Sequence, residues 1–443
     1  MRVLQLTGVP NRLVVVGGGA AGMSAASAAR RVDPDLEIVV LEATGYAAYG
    51  LCGIPYYLAG LVDEVEDLLA YPASYFTQRR RLDVRYHAEA VGLDPDRREV
   101  VYRQHGRRRR IGYSGLVVTT GATPGTATLP GMRDDRVFTV RTLEDAIALR
   151  ALLDAGVVSR ALVVGAGFVG LEMAEALAQR GCAVTVVERM EQVLPGLDAE
   201  MAAVVEAHVR EHVDLRLGAD LAEPAALEPD VAVLSTGVRP ATTIAATAGA
   251  RTDPRGALLV DERMRTSLDG VWAAGDCIAA FHQVLARPAF VPLGPAANKT
   301  GRVAGTVAAG GDAAFAGVVG TAVVKVFDLE VARTGVSLAQ ARAAGMIARA
   351  TDVVHRTRAK YYPGSAPLHV RLVHAADGRL LGAQIVGREG AALRIDVVAA
   401  ALHARMTVTD LLGLDLAYAP PYAPVYDPLL IAAQAAEHLV EAV

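Results

Sequence analysis

The chain has 443 residues, of which 52% are hydrophobic and 21% charged, and its formal net charge is -4. This length suggests two or three domains, and the composition excludes a largely disordered chain. The weak net charge gives no reason to expect nucleic acid or a membrane surface as the main partner. No apolar run reaches the roughly 18 residues of a membrane span, and residues 1–12 predict a short extension before the first strand. Three cysteines cannot form a disulfide framework, which favours a reducing cytoplasm.

The first strong pattern is an apolar strand, Arg12–Val16, that enters a glycine-rich turn. Gly17, Gly19 and Gly22 follow with the spacing G-x-G-x-x-G, and an alanine-rich helix and a second strand come next. In such a unit the first glycine allows a tight turn, the second admits a pyrophosphate, and the third lets helix and strand pack closely. Glu42 ends the second strand, where a carboxylate can accept a hydrogen bond from a ribose. These residues predict a dinucleotide site.

The same pattern returns in the middle of the chain, at Gly165, Gly167 and Gly170, with Glu188 after the next strand. Two copies of the motif, each with its acid, indicate an internal repeat and two nucleotide-binding modules. A carboxylate at Glu188 favours a free 2′-hydroxyl over a 2′-phosphate. We therefore expect NADH to be preferred, with NADPH possible because Arg189 follows directly.

The pattern of predicted elements changes after about residue 321. Short alternating strands precede a helical run, Ala391–His403, and no nucleotide motif occurs there. The sequence therefore predicts an α/β protein with two Rossmann-like nucleotide-binding domains and a C-terminal α+β domain.

With the motifs Thr119-Thr120-Gly121 and Gly275-Asp276 added, the chain resembles the pyridine nucleotide-disulfide oxidoreductase family. The resemblance implies FAD on the first glycine motif and a nicotinamide cofactor on the second. It implies that Asp276 binds the ribitol of FAD, since a carboxylate accepts hydrogen bonds from a polyhydroxyl chain. The further cofactor contacts that we expect are Thr120, Gly121, Arg141 and Gly237.

The resemblance also implies a division of the chain. Residues 1–120 and 252–321 form a discontinuous FAD-binding domain, residues 121–251 an NAD(P)H-binding domain, and residues 322–443 a dimerisation domain. A homodimer with active sites shared between subunits is expected.

Cys52 indicates one branch of this family. The better-known members carry a second cysteine five positions later, and here that position is Tyr57. Pro55 suits the first turn of a helix, which would place Cys52 near a helix N-terminus that stabilises a thiolate. The single cysteine resembles the branch of coenzyme A-disulfide reductases and NADH oxidases or peroxidases.

Two features favour the coenzyme A-disulfide reductases within that branch. Tyr422 closes a Tyr-Ala-Pro-Pro-Tyr segment, and Tyr361 and Tyr362 resemble a second tyrosine site. The resemblance implies that such a tyrosine reaches the cysteine of the other subunit, where a phenol can donate a proton to a leaving thiolate. Arg31 matches a basic residue that contacts coenzyme A phosphate in relatives, and Ser24 can line the same channel.

The resulting hypothesis is an enzyme that uses NAD(P)H, FAD and Cys52 to reduce a small disulfide or persulfide, most simply one of coenzyme A. One alternative is an NADH oxidase or an NAD(P)H-dependent polysulfide or sulfur reductase. Another is an electron-transfer flavoprotein that reduces a small iron–sulfur protein. No metal site is predicted. The basic run Arg107–Arg110 is interpreted as a solvated turn between two strands.

Overall fold

The computed structural model describes residues 11–127, 129, 131–219 and 227–440. The predicted N-terminal extension therefore lies, up to residue 10, outside the described residues. No helix among the described residues is both long and apolar enough to cross a membrane.

The described strands, in chain order, are β1 (Arg12–Val16), β2 (Glu37–Leu41), β3 (Asp83–Arg85), β4 (Ala88–Asp94), β5 (Glu99–Gln104), β6 (Arg107–Gly112), β7 (Gly115–Val118), β8 (Ala122–Pro124), β9 (Val137–Phe138), β10 (Arg160–Val164), β11 (Ala183–Val187), β12 (Asp214–Arg216), β13 (Val231–Leu234), β14 (Val238–Pro240), β15 (Leu258–Leu259), β16 (Val271–Ala273), β17 (Ile278–His282), β18 (Arg287–Phe290), β19 (Ala322–Val326), β20 (Leu329–Gly335), β21 (Ala348–Arg356), β22 (Pro367–Ala375) and β23 (Leu380–Gly387). The described helices are α1 (Ala20–Val32), α2 (Ile54–Ala59), α3 (Leu143–Asp154), α4 (Phe168–Gln179), α5 (Ala199–Val209), α6 (Thr243–Thr247), α7 (Gly294–Ala308), α8 (Leu338–Ala343), α9 (Ala391–His403), α10 (Val408–Leu412) and α11 (Pro428–Glu437).

Two parallel five-stranded sheets repeat one topology. The first has the order β16-β7-β1-β2-β3, and the second has the order β9-β13-β10-β11-β12. In each sheet the strand that leads into a glycine motif lies at the centre, so Val14 pairs with Val39 and Leu116, and Leu162 pairs with Thr185 and Ala232. The apolar runs are buried on both faces, as parallel strands between helices require. The predicted repeat is confirmed.

Helix α7 packs along α1 at backbone distance. A Cβ atom on Gly301 would lie 2.2 Å from the carbonyl oxygen of Ala21, and one on Gly305 would lie 2.0 Å from that of Ala25. Glycine is required at both positions because no side chain fits between the two helices. The close packing brings the N-terminal half of α7 alongside the start of α1.

The strands β4, β5 and β6 form a small antiparallel sheet, and this corrects the interpretation of Arg107–Arg110. These four arginines are not a turn: they are the first four residues of β6 and are exposed. The turn lies one step earlier, at His105 and Gly106, which have φ of 49° and 75°. A two-residue turn with positive φ matches a type I′ hairpin, and charged side chains protect the unpaired edge of β6.

The C-terminal part is an antiparallel sheet of order β19-β20-β23-β22-β21 with helices α9 and α11 packed on it. It is joined to the second parallel-sheet unit through Asp198, at the start of α5. The Asp198 carboxylate accepts hydrogen bonds from the backbone of Leu338 at 3.0 Å and from Gln384 Nε2 at 2.7 Å. The buried Arg371 guanidinium lies 3.5 Å from the same carboxylate and 2.7 Å from Glu200. These contacts fix α5 against the C-terminal sheet.

Candidate active site

The first glycine motif forms an open cradle at the start of α1. A Cβ on Gly17, where φ is +100°, would lie 2.3 Å from Thr119 O, and one on Gly22 would lie 1.8 Å from Gly17 O. A Cβ on Gly19 would instead meet nothing within 4 Å. No side chain caps the helix at Gly19. The free N–H groups of the first turn therefore face open space, which fits a pyrophosphate.

Glu42 closes the side of this cradle. Its Oε2 accepts a hydrogen bond from Gly18 N at 2.6 Å, and its Oε1 accepts from Thr44 N and Thr44 Oγ1, both at 2.8 Å. The carboxylate is buried and held in one orientation by these donors. Oε2, which accepts from a single donor, retains a free lone-pair direction for a ribose hydroxyl.

The second motif repeats this geometry at the start of α4. A Cβ on Gly165 or Gly170 would clash with backbone at 2.4 Å or 1.9 Å, whereas one on Gly167 would meet nothing within 4 Å. Glu188 Oε2 accepts a hydrogen bond from Ala166 N at 2.8 Å, as Glu42 does from Gly18. The residues of both motifs thus fit the phosphates and riboses of two dinucleotides.

The remaining predicted cofactor residues gather where the two sheet units meet. Arg141 Nη2 donates to Asp276 Oδ2 at 3.1 Å, and Gly121, with φ of 69°, lies beside the same guanidinium. Thr120 Oγ1 donates to Ala241 O at 2.5 Å, so it secures the chain crossover. Gly237, with φ of 90°, lies in the turn between β13 and β14 and has open space beside it.

Cys52 lies in a 3-10 turn, Leu51–Gly53, that leads directly into α2 with Pro55 in its first turn. The apolar side chains of Ile54 and Leu58 are buried against α3 and α4 of the second unit. The structure confirms the expected position of Cys52 directly before the N-terminus of a helix. The packing of α2 places the exposed Cys52 thiol between the two nucleotide-binding units.

Burial and neighbouring carboxylates oppose the stabilisation of the Cys52 thiolate that a helix N-terminus is expected to provide. Although the side chain is exposed on one side, protein atoms around the sulfur desolvate the thiolate and raise the pKa of the thiol above its usual value. The carboxylates of Glu172 and Asp276 raise this pKa further, and Arg141 lowers it. A hydrogen bond from the backbone of Cys52 lowers this pKa as well.

The tyrosines form an exposed group on the C-terminal domain. Tyr361, Tyr418 and Tyr422 are 76%, 46% and 79% exposed, and the phenols of Tyr361 and Tyr418 are hydrogen-bonded to each other. Arg394 holds the two tyrosine segments together, because its Nη2 donates to Thr357 O at 3.1 Å and to Tyr422 O at 3.2 Å. Within the described part of this chain, no hydrogen bond joins the group to Cys52.

Tyr362, the other tyrosine proposed from sequence, is 36% exposed and lies beside Arg358, whose guanidinium carbon is 5.9 Å from its ring centre. It therefore borders the same group.

Ser24 and Arg31 lie on the least buried face of α1, two turns apart. Ser24 Oγ donates to Asn298 Oδ1 of α7 at 2.8 Å. Arg31 is exposed and forms no ion pair or hydrogen bond with the described residues. Its neighbour Arg30 is instead occupied with backbone carbonyls, among them Pro34 O at 2.7 Å. Of these two neighbours, Arg31 is thus the arginine that is available to an anion.

Comparison with known proteins agrees with this arrangement. The family model described as pyridine nucleotide-disulphide oxidoreductase matches residues 11–301, and the model of its dimerisation domain matches residues 321–428. The chain belongs to this family. It is an oxidoreductase with sites for FAD and NAD(P)H, and the predictions of family, fold class and cofactors are confirmed.

Three proteins are similar to this chain over nearly its full length. It is 37% identical over 438 residues to the NAD(P)H coenzyme A polysulfide/persulfide reductase of Pyrococcus horikoshii, covering 96% of this chain and 98% of the other. It is 34% identical over 442 residues to an NADH oxidase of Methanocaldococcus jannaschii, covering 96% and 98%. The crystal structure of reduced Bacillus anthracis CoADR-RHD superposes with a TM-score of 0.92 at 34% identity, covering 97% of this chain and 80% of that one.

The structure adds Glu172 to the site of this oxidoreductase. Glu172 lies on α4, two residues after Gly170, and forms no hydrogen bond or ion pair within the described residues. Burial, followed by the charge of Glu175, raises the pKa of Glu172 to about 7. Its negative charge raises the pKa of both Cys52 and Tyr56. The signal in the sequence was an acid in the helix directly after the second glycine motif, where apolar and small residues are enough for packing.

The other two cysteines, Cys182 and Cys277, are buried. Cys182 Sγ lies 3.6 Å from Val158 O, and Cys277 Sγ lies 3.2 Å from Ala274 O. Complete burial raises the pKa of Cys277 to about 11. Neither thiol is available to a substrate, so Cys52 is the exposed thiol of the chain.

Proposed function

We propose that this oxidoreductase reduces low-molecular-weight disulfides or persulfides of coenzyme A with electrons from NAD(P)H, and that Cys52 is its nucleophile. The observation that carries the proposal is the position of one exposed thiol between two nucleotide-binding units, while the other two cysteines are buried. The similarity to a coenzyme A polysulfide/persulfide reductase supports the same substrate class.

The chemistry at Cys52 is thiol–disulfide exchange. The thiolate attacks one sulfur of the substrate disulfide, a mixed disulfide with Cys52 forms, and the second sulfur leaves as a thiolate that takes up a proton. FAD, when bound, supplies the two electrons that come from NAD(P)H. Because the pKa of the free thiol is raised, the positive charge of Arg141 is needed to favour the thiolate that must attack.

Coenzyme A recognition is assigned to the open face of α1. Ala20, Ser24, Ser27 and Arg31 are among its less buried residues and follow one another at helical spacing. At the end of this face, the Arg31 guanidinium has no partner among the described residues and suits a phosphate. The hydroxyls suit the amides of the pantetheine arm.

The exposed tyrosine group is assigned to the partner subunit's site. The family's dimerisation domain contains Tyr361, Tyr362, Tyr418 and Tyr422, and large exposed aromatics of this kind are typical of an interface. A phenol from this group would protonate the thiolate that leaves at Cys52 of the partner subunit. Tyr361, Tyr362 and Tyr422 are the proposed participants.

We further infer that the FAD-binding, NAD(P)H-binding and dimerisation domains have the boundaries predicted above. We also infer that the two glycine cradles hold the pyrophosphates of FAD and NAD(P)H. Asp276, which pairs with Arg141, binds the ribitol of FAD. The enzyme acts in the cytoplasm, where a reducing environment keeps Cys52 as a thiol.

The proposal is tested by measuring NADH oxidation under strict anaerobiosis with and without coenzyme A disulfide, while counting released thiols. We expect a disulfide-dependent rate and two thiols per NADH. Cys52→Ser should abolish this rate but leave flavin reduction by NADH intact, and Cys182→Ser serves as a matched control that retains turnover. Undiminished turnover in Cys52→Ser would remove Cys52 from the mechanism.

The same assay separates the alternatives. NADH consumption that requires air would indicate an oxidase, and sulfide release from polysulfide without any effect of coenzyme A disulfide would indicate a sulfur reductase. Equal rates of iron–sulfur protein reduction by the native enzyme and Cys52→Ser would indicate an electron-transfer flavoprotein.

A further inference from the structure

Three potential metal ligands meet at the end of α5, away from the residues assigned to electron transfer. One ligand atom from each of His208, Glu211 and His212 lies within 4.8 Å of the other two. The sequence predicts no metal site here, because the spacing of these residues lacks the paired cysteines of common zinc motifs. The turn between β19 and β20, with Phe327 and Asp328, packs against it.

His208 is a buried candidate ligand with a carboxylate close to each ring nitrogen. Its side chain is 9% exposed, its Nδ1 lies 3.5 Å from Glu211 Oε2, and its Nε2 lies 2.5 Å from Asp328 Oδ1. Two ligands of a tetrahedral zinc ion, each about 2.0–2.1 Å from the metal, are separated by about 3.3 Å. The Nδ1–Oε2 separation is close to this value. Nε2 is buried and forms no hydrogen bond within the described residues, so the Asp328 carboxylate beside it would complete the carboxylate–histidine–metal arrangement of natural sites once the ring aligns with a bound ion.

His212 is held in place although it is exposed. Its ring stacks on Phe327 with a centroid distance of 4.1 Å and an interplanar angle of 11°, and its ring centre lies 4.8 Å from that of His208. Stacking reduces the rotamer freedom that metal binding would otherwise remove. The group is therefore partly preorganised.

The charges around the group favour a divalent cation. Glu211 and Asp328 contribute two carboxylates. Among the described residues, the only guanidinium that contacts either of them is Arg388, whose Nη1 lies 3.0 Å from Asp328 Oδ2. Imidazole nitrogens with one carboxylate oxygen suit zinc, copper or nickel, whereas magnesium and calcium prefer oxygen ligands alone.

We propose that His208, Glu211 and His212 bind one divalent transition-metal ion, for which Zn²⁺ is the probe, and that Asp328 orients His208 from outside the coordination sphere. The three ligands belong to the second nucleotide-binding unit, whereas Asp328 belongs to the dimerisation domain. Metal binding therefore stabilises the contact between these two parts of the chain, and the ion takes no part in electron transfer.

The test uses the full-length, FAD-loaded protein with Cys52→Ser in every sample, because an exposed thiol is itself a zinc ligand. Equilibrium dialysis against Zn²⁺ with elemental analysis should show one tightly bound ion per chain. His212→Ala should weaken this binding about tenfold or more, while His403→Ala, an exposed histidine at the end of α9, should leave it unchanged. Titration with Co²⁺ should give a tetrahedral d–d absorption spectrum that His212→Ala abolishes.

Two further variants keep the proposal open to contradiction. Glu211→Gln should weaken Zn²⁺ binding like His212→Ala, and it changes a side chain that is 67% exposed, so the fold is retained. Asp328→Asn should weaken binding by about 10–100-fold if the outer carboxylate matters. Equal zinc affinity in the parent, His212→Ala and His403→Ala proteins would overturn the site. Unchanged affinity in Asp328→Asn would overturn the link to the dimerisation domain.

Discussion

Arg141 donates a hydrogen bond to Asp276 across the seam between the two nucleotide-binding units, at an Nη2–Oδ2 distance of 3.1 Å. The two residues act in opposite directions on Cys52: the guanidinium lowers the pKa of the thiol and the carboxylate raises it. Arg141→Gln should therefore raise the thiol pKa and slow alkylation of Cys52 at pH 7.5 by about two- to fivefold. The check is the pH dependence of iodoacetamide labelling, with the exposed arginine variant Arg133→Gln as control. An unchanged profile would show that Arg141 does not act on the sulfur.

Glu172 should make the reactivity of Cys52 depend on pH in a second way. The pKa of Glu172 is raised to about 7 by burial and by Glu175, so its negative charge appears beside the thiol only above neutral pH. Glu172→Gln should therefore speed alkylation of Cys52 at pH 8–9 and leave it unchanged at pH 6, where the native carboxyl is already protonated. Glu206→Gln, on α5, is the matched control. A faster rate at pH 6 as well would indicate a steric effect.

The same carboxyl affects stability. The pKa of Glu172 is 4.5 in an unfolded chain and about 7 in the folded one, so the folded state binds its proton more tightly. The associated stabilisation is complete below pH 4.5 and is lost as pH rises through 7. Urea unfolding at pH 5 and pH 8 should show a smaller fall in the free energy of unfolding for Glu172→Gln than for the native protein.

Glu188 should set the preference for NADH. Both carboxylate oxygens are fixed, by Ala166 N at 2.8 Å and Met190 N at 2.8 Å, so the group cannot turn away from a 2′-phosphate. Glu188→Ser should lower the ratio of kcat/KM for NADH over NADPH about tenfold or more, because it removes a like-charge repulsion. Steady-state kinetics with both cofactors check this. A native preference for NADPH would contradict it at the outset.

Gly19 and Gly22 should respond differently to the same substitution. Gly22→Ala places a methyl group 1.8 Å from Gly17 O, and we expect it to destabilise the protein by about 2 kcal/mol or more. Gly19 has a φ of −72° and open space beside it, so Gly19→Ala should change stability by about 0.5 kcal/mol or less and still weaken FAD binding. Urea unfolding of the FAD-free protein and FAD titration measure the two effects. Full FAD affinity in Gly19→Ala would place the pyrophosphate elsewhere.

Arg31 should discriminate substrates by their phosphates. Arg31→Ala should raise KM for coenzyme A disulfide about tenfold and leave KM for pantethine, the disulfide without nucleotide phosphates, unchanged. Arg109→Ala, an exposed arginine on β6, provides the control for loss of surface charge. Equal effects on both substrates would indicate that Arg31 supports the fold and does not bind phosphate.

The local and repeated features were available from the sequence. Strand β1 (Arg12–Val16) and helix α9 (Ala391–His403) begin and end where the apolar pattern predicts. The position of Cys52 before a helix with a proline in its first turn could also be predicted from the sequence. The run Arg107–Arg110 was misinterpreted because exposed arginines on an edge strand have the composition of a solvated turn, and only the positive φ of His105 and Gly106 shows where the chain reverses.

Other features depended on contacts between residues distant in the chain. Three such contacts are the hydrogen bond between Arg141 and Asp276, the hydrogen bond between Ser24 and Asn298, and the effect of Glu172 on the pKa of Cys52. In each of them the two residues lie on different elements. A pKa depends on the surrounding atoms and charges, so the raised pKa of Cys52 could not follow from its neighbours in sequence alone. The sequence by itself determined that this chain binds two dinucleotides and carries one candidate redox thiol. Only the tertiary structure decided which charges act on that thiol, because folding sets their distances.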